Sequence, residues 1–276
     1  MRVGFVGLGS QGAPIAERIA NSGTFETVVW ARRQEALAPF RNGPALIADT
    51  ISELGVGLDL LATCVFDAEG TREVLFGHGG AAHTMPVGAI VMCHSTVSPQ
   101  EITEIGREAA DRYGLRVLDA PVSGGAPKAV AGELVVMIGG DEATYLEAAP
   151  VIATYSNLTV RLGPIGAGQQ AKLLNNAVLA AHIAIARDVF DIGEKLGLDT
   201  AVLGQILRSG SGRSYGLELF VNFGSLEPMT HSPMRPALMK DVELLLSMLN
   251  GWEEGALLLA PAKRFIADLA REAQSD

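Results

Sequence analysis

A lysine and an asparagine four residues apart form the pair in this sequence that is best suited to acid–base chemistry. Lys172 and Asn176 lie in a long apolar stretch with a helical pattern, and residues four apart share one face of a helix. Because Ala171 and Leu173 flank the lysine, removal from water is expected to lower the pKa of its ammonium group. We therefore expect Lys172 to exchange a proton with a substrate. A surface lysine with a buried stem is the equally simple alternative for this residue alone.

A glycine-rich segment near the N-terminus has the residue types and spacing of a phosphate-binding turn. It consists of Gly7, Leu8, Gly9, Ser10, Gln11 and Gly12, which matches G-x-G-x-x-G. The segment directly follows a predicted strand and opens a predicted helix, which favours this interpretation over an ordinary glycine-rich turn. The three glycines would permit a tight turn, the close approach of a pyrophosphate, and packing of the helix against the strand. We therefore predict a bound dinucleotide, with its pyrophosphate at the N-terminus of the helix.

Two arginines stand where a dinucleotide-binding protein recognises the adenosine ribose. Arg32 and Arg33 follow the second predicted strand, about 20 residues after the glycine-rich turn. An acidic residue here would bind the ribose hydroxyls of NAD, whereas guanidinium groups bind a 2′-phosphate through charge-assisted hydrogen bonds. The pair predicts NADP as the preferred cofactor and leaves NAD open as a second one. Two solvated arginines at the start of a surface helix are the alternative.

A serine followed by two glycines has the donors to bind a carboxylate. Ser123, Gly124 and Gly125 follow another predicted strand, and together they offer one hydroxyl and two unobstructed backbone N–H groups. Such a concave group of donors suits a small anion, although an ordinary turn can contain the same residues. We expect a small-molecule substrate that carries a carboxylate.

Alternating strands and helices must position these groups in the first part of the chain. Apolar runs predict strands at 3–6, 27–30, 58–65, 89–93, 116–118, 134–138 and 158–162. Periodic segments predict helices between them at 13–22, 70–75, 99–113 and 142–152. Strands that are apolar on both faces and are followed by crossover helices indicate a mainly parallel, doubly wound α/β sheet of the Rossmann type.

The pattern changes after a segment of glycine and proline at residues 163–168. From there helical patterns continue nearly to the end of the chain, at 169–196, 200–209, 235–249 and 261–273. Because breakers of this kind mark the joints between elements, we predict two domains, an NADP-binding domain at 1–163 and an all-α domain at 164–276. The long helix that starts near residue 169 would join them.

The composition indicates a globular protein and excludes several classes of partner. Of 276 residues, 48% are hydrophobic and 19% are charged, and the formal net charge is -10, which disfavours nucleic acids and anionic membranes. Neither Cys64 nor Cys93 has a zinc-ligand spacing with a histidine, so we expect two buried thiols and no metal. The sequence opens directly on a strand pattern with no leader segment, so we expect a cytoplasmic protein.

Four segments together resemble the β-hydroxyacid dehydrogenase family, which includes 3-hydroxyisobutyrate dehydrogenase, tartronate semialdehyde reductase and 6-phosphogluconate dehydrogenase. These segments are 7–9, 119–125, 166–176 and 240–241, in the order and spacing typical of the family. They extend over nearly the whole chain, and their combination is more specific than any single motif. The resemblance implies a Rossmann-type domain, a long interdomain helix, and an all-α domain that supports a homodimer or homotetramer.

The same resemblance implies a reaction and roles for the candidate residues. The family transfers a hydride between nicotinamide and a small 3-hydroxy acid or the corresponding semialdehyde. Lys172 would be the general acid/base, and Asn176 would orient the reacting oxygen. The carboxylate of the substrate would lie on residues 123–125.

The resemblance also places further residues on the nicotinamide side of the cofactor. Thr96 lies in the loop after residues 89–93, which in the family contacts the nicotinamide ribose. Lys240 matches a family lysine near the nicotinamide, and Asp241 would position it. Val65 lies in the loop after Thr63, where the sequence reads Cys64-Val65-Phe66 instead of the usual Met-Leu-Pro. A second departure is Gln11, which replaces the usual methionine of the glycine-rich turn.

Two other functions fit part of the sequence. Imine reductases share the cofactor domain but usually have another residue in place of the lysine, so Lys172 argues against them. A non-catalytic NADP(H)-binding module would retain the glycine-rich turn, Arg32 and Arg33. It would not need Lys172, Asn176 and Ser123 together. The presence of all three favours the dehydrogenase.

Overall fold

The chain divides into two compact units, Met1–Lys172 and Leu173–Asp276, named here the first and the second unit. A computed structural model describes residues 1–232, 234–249 and 255–272. The division falls later than the domain boundary predicted at 163/164. It does so because one helix, Ala167–Lys195, begins in the first unit and ends in the second.

A single sheet of nine strands runs through the first unit, all of which is described. Its strands are β1 (Arg2–Val6), β2 (Glu26–Trp30), β3 (Leu46–Ile47), β4 (Leu60–Thr63), β5 (Ile90–Cys93), β6 (Arg116–Asp119), β7 (Val122–Ser123), β8 (Leu134–Gly139) and β9 (Ser156–Gly163). The order across the sheet is β3-β2-β1-β4-β5-β6-β8-β7, and β9 pairs with β8. Strands β1 to β6 pair in parallel, and β8 is antiparallel to β6 and β7. The prediction of a mainly parallel sheet is confirmed.

Helices of the first unit cover both faces of this sheet. They are α1 (Gly12–Asn21), α2 (Ile51–Gly55), α3 (Ala68–Phe76), α4 (Pro99–Tyr113), α5 (Gly125–Ala131) and α6 (Glu142–Ile152). Successive strand residues point to opposite faces, so Phe5 belongs to a core shared with α1 and α6, whereas Val6 belongs to one shared with α3 and α4. This doubly wound α/β arrangement confirms the predicted fold class.

Local signals account for the helices that the sequence predicts well. Helix α4 begins at Pro99 after a capping box, in which the Ser98 hydroxyl and the Glu101 carboxylate each accept a backbone N–H from the other residue. It ends at Gly114, whose φ of 66° lies in the left-handed region. Elements of only a few residues, such as β3, β7 and α2, have no periodic pattern of their own, and the sequence does not predict them.

The strand order places the candidate cofactor turn at a characteristic position. Strand β1 lies between β2 and β4, so the chain winds outward in both directions from this point. In open α/β sheets, ligands bind beyond the carboxyl ends of the strands where the order reverses. The glycine-rich turn follows the carboxyl end of β1, next to the end of β4.

In its described part, the second unit is helical. Besides the C-terminal part of α7 (Ala167–Lys195), it contains α8 (Thr200–Ser209), α9 (Tyr215–Phe223), α10 (Glu227–Thr230), α11 (Met234–Met248) and α12 (Ala256–Glu272). Its core contains Ile183, Phe220, Leu238 and Phe265. The all-α prediction is confirmed, although α9 and α10 are additional helices, short enough to be missed by periodicity. The predicted end of the last helix, residue 273, lies outside the described residues.

Helix α7 is long and apolar enough to cross a membrane, judged by length and composition alone. Its residues Ala180, Ile183 and Ala184 are buried in the helical core of the second unit. Core helices of soluble proteins pass the same test, so this property is weak evidence for a membrane span.

Candidate active site

The structure requires glycine at two positions of the glycine-rich turn and leaves open space at a third. Gly7 has a φ of 97°, and a Cβ there would lie 2.3 Å from the carbonyl oxygen of Cys64. A Cβ on Gly12 would lie 2.0 Å from the carbonyl oxygen of Gly7. At Gly9, by contrast, a Cβ would meet no protein atom within 4 Å. Gly7 and Gly12 thus allow neighbouring backbone segments to pack closely. Gly9 leaves open space in which a bound ligand can approach the backbone.

The N-terminus of α1 suits an anion. Gln11 occupies the N-cap position without a side-chain hydrogen bond, and the first turn contains no acidic residue. The backbone N–H groups of such a turn carry partial positive charge and favour a phosphate. Leu8 is buried in the core, so it can contribute to the turn only through its backbone, whereas Ser10 is exposed.

The two arginines are placed as the sequence predicts. Strand β2 ends at Trp30, Ala31 is buried, and both Arg32 and Arg33 are exposed. Arg33 then occupies the N-cap position of a short 3-10 helix, Gln34–Phe40. Two exposed guanidinium groups at the end of the strand next to β1 are available to a negatively charged ligand.

The structure brings together the loops that carry Val65 and Thr96. The backbone N–H of Val65 donates to the hydroxyl oxygen of Ser95 at 3.0 Å. Ser95 is buried and Thr96 is half-buried. The loops after β4 and β5 are therefore bonded to each other at the same edge of the sheet as the glycine-rich turn.

Asp119 joins the end of β6 to the start of α7. Its fully buried carboxylate accepts the backbone N–H of Gly166 at 2.7 Å and that of Gln169 at 2.8 Å. Burial raises the pKa of Asp119, and these backbone hydrogen bonds oppose the rise. The carboxylate also lies at the positive end of the α7 dipole. The sequence contains Asp119 in a family motif but gives it no role, so this anchoring role is an addition.

Gln169 is a second buried polar residue that the sequence does not single out. Its side-chain nitrogen donates to the carbonyl oxygen of Ser95 at 2.9 Å, and its side-chain oxygen accepts the N–H of Val97 at 3.1 Å. The only local signal is an amide directly after the glycine-rich joint. Its partners are remote in sequence and become visible only in the fold.

The candidate carboxylate-binding residues lie in a sharp turn. Ser123 ends β7 and pairs with Val135 of β8. Gly124 and Gly125 have φ values of 133° and 70°, which favour glycine, and Gly125 is exposed at the start of α5. The turn has the small residues and open backbone that an anion requires. Its role in substrate binding stays a prediction.

Lys172 lies on α7 one turn after Gln169, at the C-terminal end of the first unit. The lysine is half-buried, and the next residue, Leu173, is fully buried. Asp119 and Gln169 fix the turn of α7 that precedes Lys172. The structure thus shows how Lys172 is held near the carboxyl edge of the sheet, and its catalytic role stays a prediction.

In the second unit, Asp241 holds both Asn176 and Lys240. Its buried carboxylate accepts the Asn176 side-chain N–H at 2.6 Å, and the Lys240 ammonium lies 3.1 Å from its other oxygen. The sequence suggests that Asp241 positions Lys240, and the structure adds Asn176 to the same carboxylate. Asn175 donates to the Asn176 side-chain oxygen at 3.0 Å, which further fixes the orientation of that amide.

His94 is a buried histidine near the site that cannot act as an acid at neutral pH. Its Nδ1 donates to the carbonyl oxygen of Ala120 at 2.6 Å, and its Nε2 lies 3.3 Å from the Tyr155 hydroxyl. Burial lowers the pKa of His94 to about 4, although the bond to Ala120 opposes this shift. His94 is therefore neutral and anchors the segment that leads to Ser123.

Neither cysteine has the properties of a nucleophile. Both thiols are free, and burial raises the pKa of Cys64 to about 12 and also raises that of Cys93. A thiolate is the reactive form of cysteine, and it is disfavoured at both positions. Among the described residues, no group of three or more His, Cys, Asp or Glu side chains is arranged to hold a metal ion.

Two family models together match nearly the whole chain. Residues 2–163 match the NAD binding domain of 6-phosphogluconate dehydrogenase. Residues 166–276 match the NAD-binding domain of NADP-dependent 3-hydroxyisobutyrate dehydrogenase. The two matched segments meet at the joint between β9 and α7.

Individual proteins show the same similarity. An L-threonate dehydrogenase from Cupriavidus necator is 35% identical over 217 residues, which are 78% of this chain and 72% of the relative. The structure of a 3-hydroxyisobutyrate dehydrogenase from Salmonella typhimurium superposes with a TM-score of 0.86 at 28% identity, over 98% of this chain and 95% of the other. A Mycobacterium tuberculosis 3-hydroxyisobutyrate dehydrogenase, described with L-serine, gives a TM-score of 0.83 at 25% identity, over 99% and 94% of the two chains.

Proposed function

The chain belongs to the β-hydroxyacid dehydrogenase family, and from this premise we propose that it interconverts a small 3-hydroxy acid and the corresponding semialdehyde with NADP(H). Its place among the NAD(P)-dependent hydroxyacid dehydrogenases rests on the two family models and the dehydrogenases it resembles. The assignment of Ser123 and Lys172 to one active site rests on the hydrogen bonds of the Asp119 carboxylate. This carboxylate ties the strand that leads to Ser123 to the helical turn that precedes Lys172.

The substrate class follows from what the relatives' names have in common. L-Threonate, 3-hydroxyisobutyrate and L-serine each carry a hydroxyl on the carbon β to a carboxylate. They differ in the group on the α carbon, and L-threonate also carries a hydroxymethyl group on its β carbon. A site for this class needs one anion-binding group and one acid/base, separated by a short distance. Ser123, Gly124 and Gly125 supply the first, and Lys172 supplies the second.

The residues of this chain have the following roles in the oxidation. The neutral amine of Lys172 accepts the proton of the substrate hydroxyl, and its ammonium form returns that proton to the carbonyl oxygen in the reverse direction. Asn176 orients the reacting oxygen, and Asp241 holds Asn176 in place. When NADP is bound, its nicotinamide supplies the hydride acceptor or donor.

The residues present fit NADP. Gly9 leaves open space beside an α1 N-terminus that has no side-chain cap, which suits the pyrophosphate. Arg32 and Arg33 are exposed at the end of β2, where they would bind the 2′-phosphate that distinguishes NADP from NAD. Thr96 and Val65 would border the nicotinamide half, and the family resemblance assigns Lys240 to the cofactor as well.

The exposed face of α7 supports a homodimer. Leu174, Val178, Ile185, Ile192 and Leu196 are between 40% and 71% exposed, and their spacing of four and seven residues aligns them along one side of the helix. Exposed apolar stripes of this length mark interaction surfaces. A second copy of the chain, with the same stripe, would bury it through a self-complementary contact.

We further propose that the protein is cytoplasmic. Cys64 and Cys93 are both free, and reduced thiols are the rule in that compartment. Secretion to an oxidising compartment, shown by fractionation, would contradict this proposal.

The reaction is tested by following nicotinamide absorbance with a panel of substrates. The panel contains L-threonate, 3-hydroxyisobutyrate and L-serine with NADP⁺ or NAD⁺, and several cyclic imines with NADPH. Turnover of a hydroxy acid, faster with NADP⁺, is the expected result. Turnover of imines alone would assign the chain to imine reduction, and binding of NADPH without any turnover would favour a binding module.

A further inference from the structure

We propose that Gln169 is a positioning residue, which fixes the loop that carries Thr96 to the helical turn that precedes Lys172. The proposal rests on the proposed function, because it assigns Thr96 to the nicotinamide half of the cofactor and Lys172 to proton transfer. Gln169 itself touches neither substrate nor cofactor in this proposal. It acts by holding two groups of the site at a constant separation.

The amide of Gln169 bonds to the residues on both sides of Thr96. Its nitrogen donates to the Ser95 carbonyl oxygen at 2.9 Å, and its oxygen accepts the Val97 N–H at 3.1 Å. A single side chain therefore replaces the two hydrogen bonds that a neighbouring strand would make with this segment. Because Gln169 is fully buried, water cannot replace these bonds if the amide is lost.

The same residue is fixed at its backbone. Its N–H donates to Asp119 at 2.8 Å, so the amide extends from a helical turn that is already anchored to β6. On the other side, the Ser95 hydroxyl accepts the Val65 N–H. The ends of β4, β5 and β6 are thus connected to the first turn of α7 through Gln169 and Asp119.

Only a primary amide satisfies both partners of Gln169. The Ser95 carbonyl needs a donor and the Val97 N–H needs an acceptor, and the two are served by opposite ends of one planar group. A glutamate would keep the bond to Val97 but place a second acceptor against the Ser95 carbonyl. A methionine has a similar shape and makes neither bond.

Loss of the amide should therefore affect catalysis more than substrate binding. A displacement of about 1 Å between reacting groups can lower the rate about 100-fold. We expect Gln169→Met to lower kcat about 10- to 100-fold with little change in the KM for the hydroxy acid. Hydride transfer would become slower than product release, so the deuterium isotope effect on kcat, measured with a substrate deuterated at the carbinol carbon, should rise. Gln169→Glu should also lower kcat, because its buried carboxylate faces the Ser95 carbonyl oxygen.

A binding experiment tests the proposal without turnover. Calorimetry would compare NADPH with adenosine 2′,5′-bisphosphate, which carries the adenosine half of the cofactor but lacks the nicotinamide and its ribose. Gln169→Met should weaken NADPH binding about 10-fold and leave the affinity for the bisphosphate unchanged. The matched control is Thr144→Val, which removes a buried hydroxyl that lies 3.1 Å from Asp141 at the start of α6.

The outcomes separate this proposal from the proposed function. If Gln169→Met weakens both ligands equally, or neither, then Gln169 has no specific effect on the nicotinamide side and the proposal is overturned. Should Gln169→Met not fold, Gln169→Glu takes its place in the same comparison. If the wild-type protein turns over no panel substrate, the proposed function fails, while the comparison of the two ligands still decides the role of Gln169.

Discussion

The carboxylate of Asp119 accepts the backbone N–H of Gly166 at 2.7 Å, which joins the last residue of β6 to the residue before α7. The other carboxylate oxygen of Asp119 accepts the backbone N–H of Gln169. Free backbone N–H groups at a helix start need partners when they are buried. One buried carboxylate thus caps the helix that carries Lys172 and holds it against the sheet.

Asp119→Ala should destabilise the protein strongly. It leaves two buried N–H groups without a partner, and each such loss costs about 1–3 kcal/mol, so we expect a decrease of about 3 kcal/mol or more in the free energy of unfolding in urea. Thr50→Ala, which removes the exposed cap of α2, should cost about 1 kcal/mol. Equal losses in the two variants would contradict the anchoring role of Asp119.

Lys172→Ala should strongly lower turnover and leave cofactor binding intact. Loss of a general acid/base lowers kcat about 10²- to 10⁴-fold, whereas the glycine-rich turn and Arg32 are untouched, so the Kd for NADPH should stay within about a factor of two of the wild-type value. Kinetics and calorimetry on the same preparation measure both. Lys195→Ala, at the exposed end of α7, is the control with normal activity. Turnover near the wild-type rate would show that Lys172 is not the general acid/base.

Arg32→Ala combined with Arg33→Ala should reduce the preference for NADP. Hydrogen bonds to charged groups contribute about 1.5–3 kcal/mol, so the KM for NADPH should rise about 10- to 100-fold, while that for NADH stays unchanged. Steady-state kinetics with both cofactors measure this ratio. Arg41→Ala removes another exposed arginine of the first unit and should change neither KM. An equal rise for both cofactors would argue against 2′-phosphate recognition.

Local patterns predict the parts of the site that are close in sequence. The glycine-rich turn is predictable because a strand, three glycines and a helix follow one another within a few residues. Helix α4 is predictable because its start and end are marked by Ser98 and Gly114. Even so, the sequence assigns Leu8 to the cofactor site, and the structure buries its side chain in the core.

Contacts between distant residues are what the sequence does not reveal. Asp119 and Gln169 are separated by 50 positions, and Ser95 and Gln169 by 74. Each residue type is common, and its partner is defined only when β5, β6 and α7 are brought together by the sheet. The shared carboxylate of Asp241 is a similar case, because Asn176 is 65 positions away. The functional residues are thus easier to predict than the residues that hold them.

His94 should make the protein less stable as the pH falls from about 6.5 to about 4. Its folded-state pKa of about 4 lies below the ordinary value of 6.5, so the unfolded chain binds a proton in this range and the folded chain does not. The stability from neutral His94 is complete above pH 6.5 and is lost on acidification, by at most about 3 kcal/mol.

Urea unfolding at pH 7.5 and pH 5 measures this effect of His94. Burial raises the pKa of Asp119, which favours the folded state at low pH and partly offsets the loss. The contribution of the histidine is therefore the difference between wild type and His94→Gln, which cannot titrate. Identical pH dependence in the two proteins would mean that His94 is not the group responsible.

Ile192→Asp should dissociate a dimer formed through the apolar stripe of α7. Ile192 lies in the middle of the C-terminal half of this stripe and is 55% exposed, so a carboxylate there would be buried without a partner in the interface, which is costly. Light scattering after size exclusion should give the mass of a dimer for wild type and of a monomer for Ile192→Asp. Leu158→Asp is the matched control, because Leu158 is an apolar residue of similar exposure on β9 and lies outside the stripe. A monomeric wild type would refute the proposed dimer, and dissociation by Leu158→Asp alone would place the interface elsewhere.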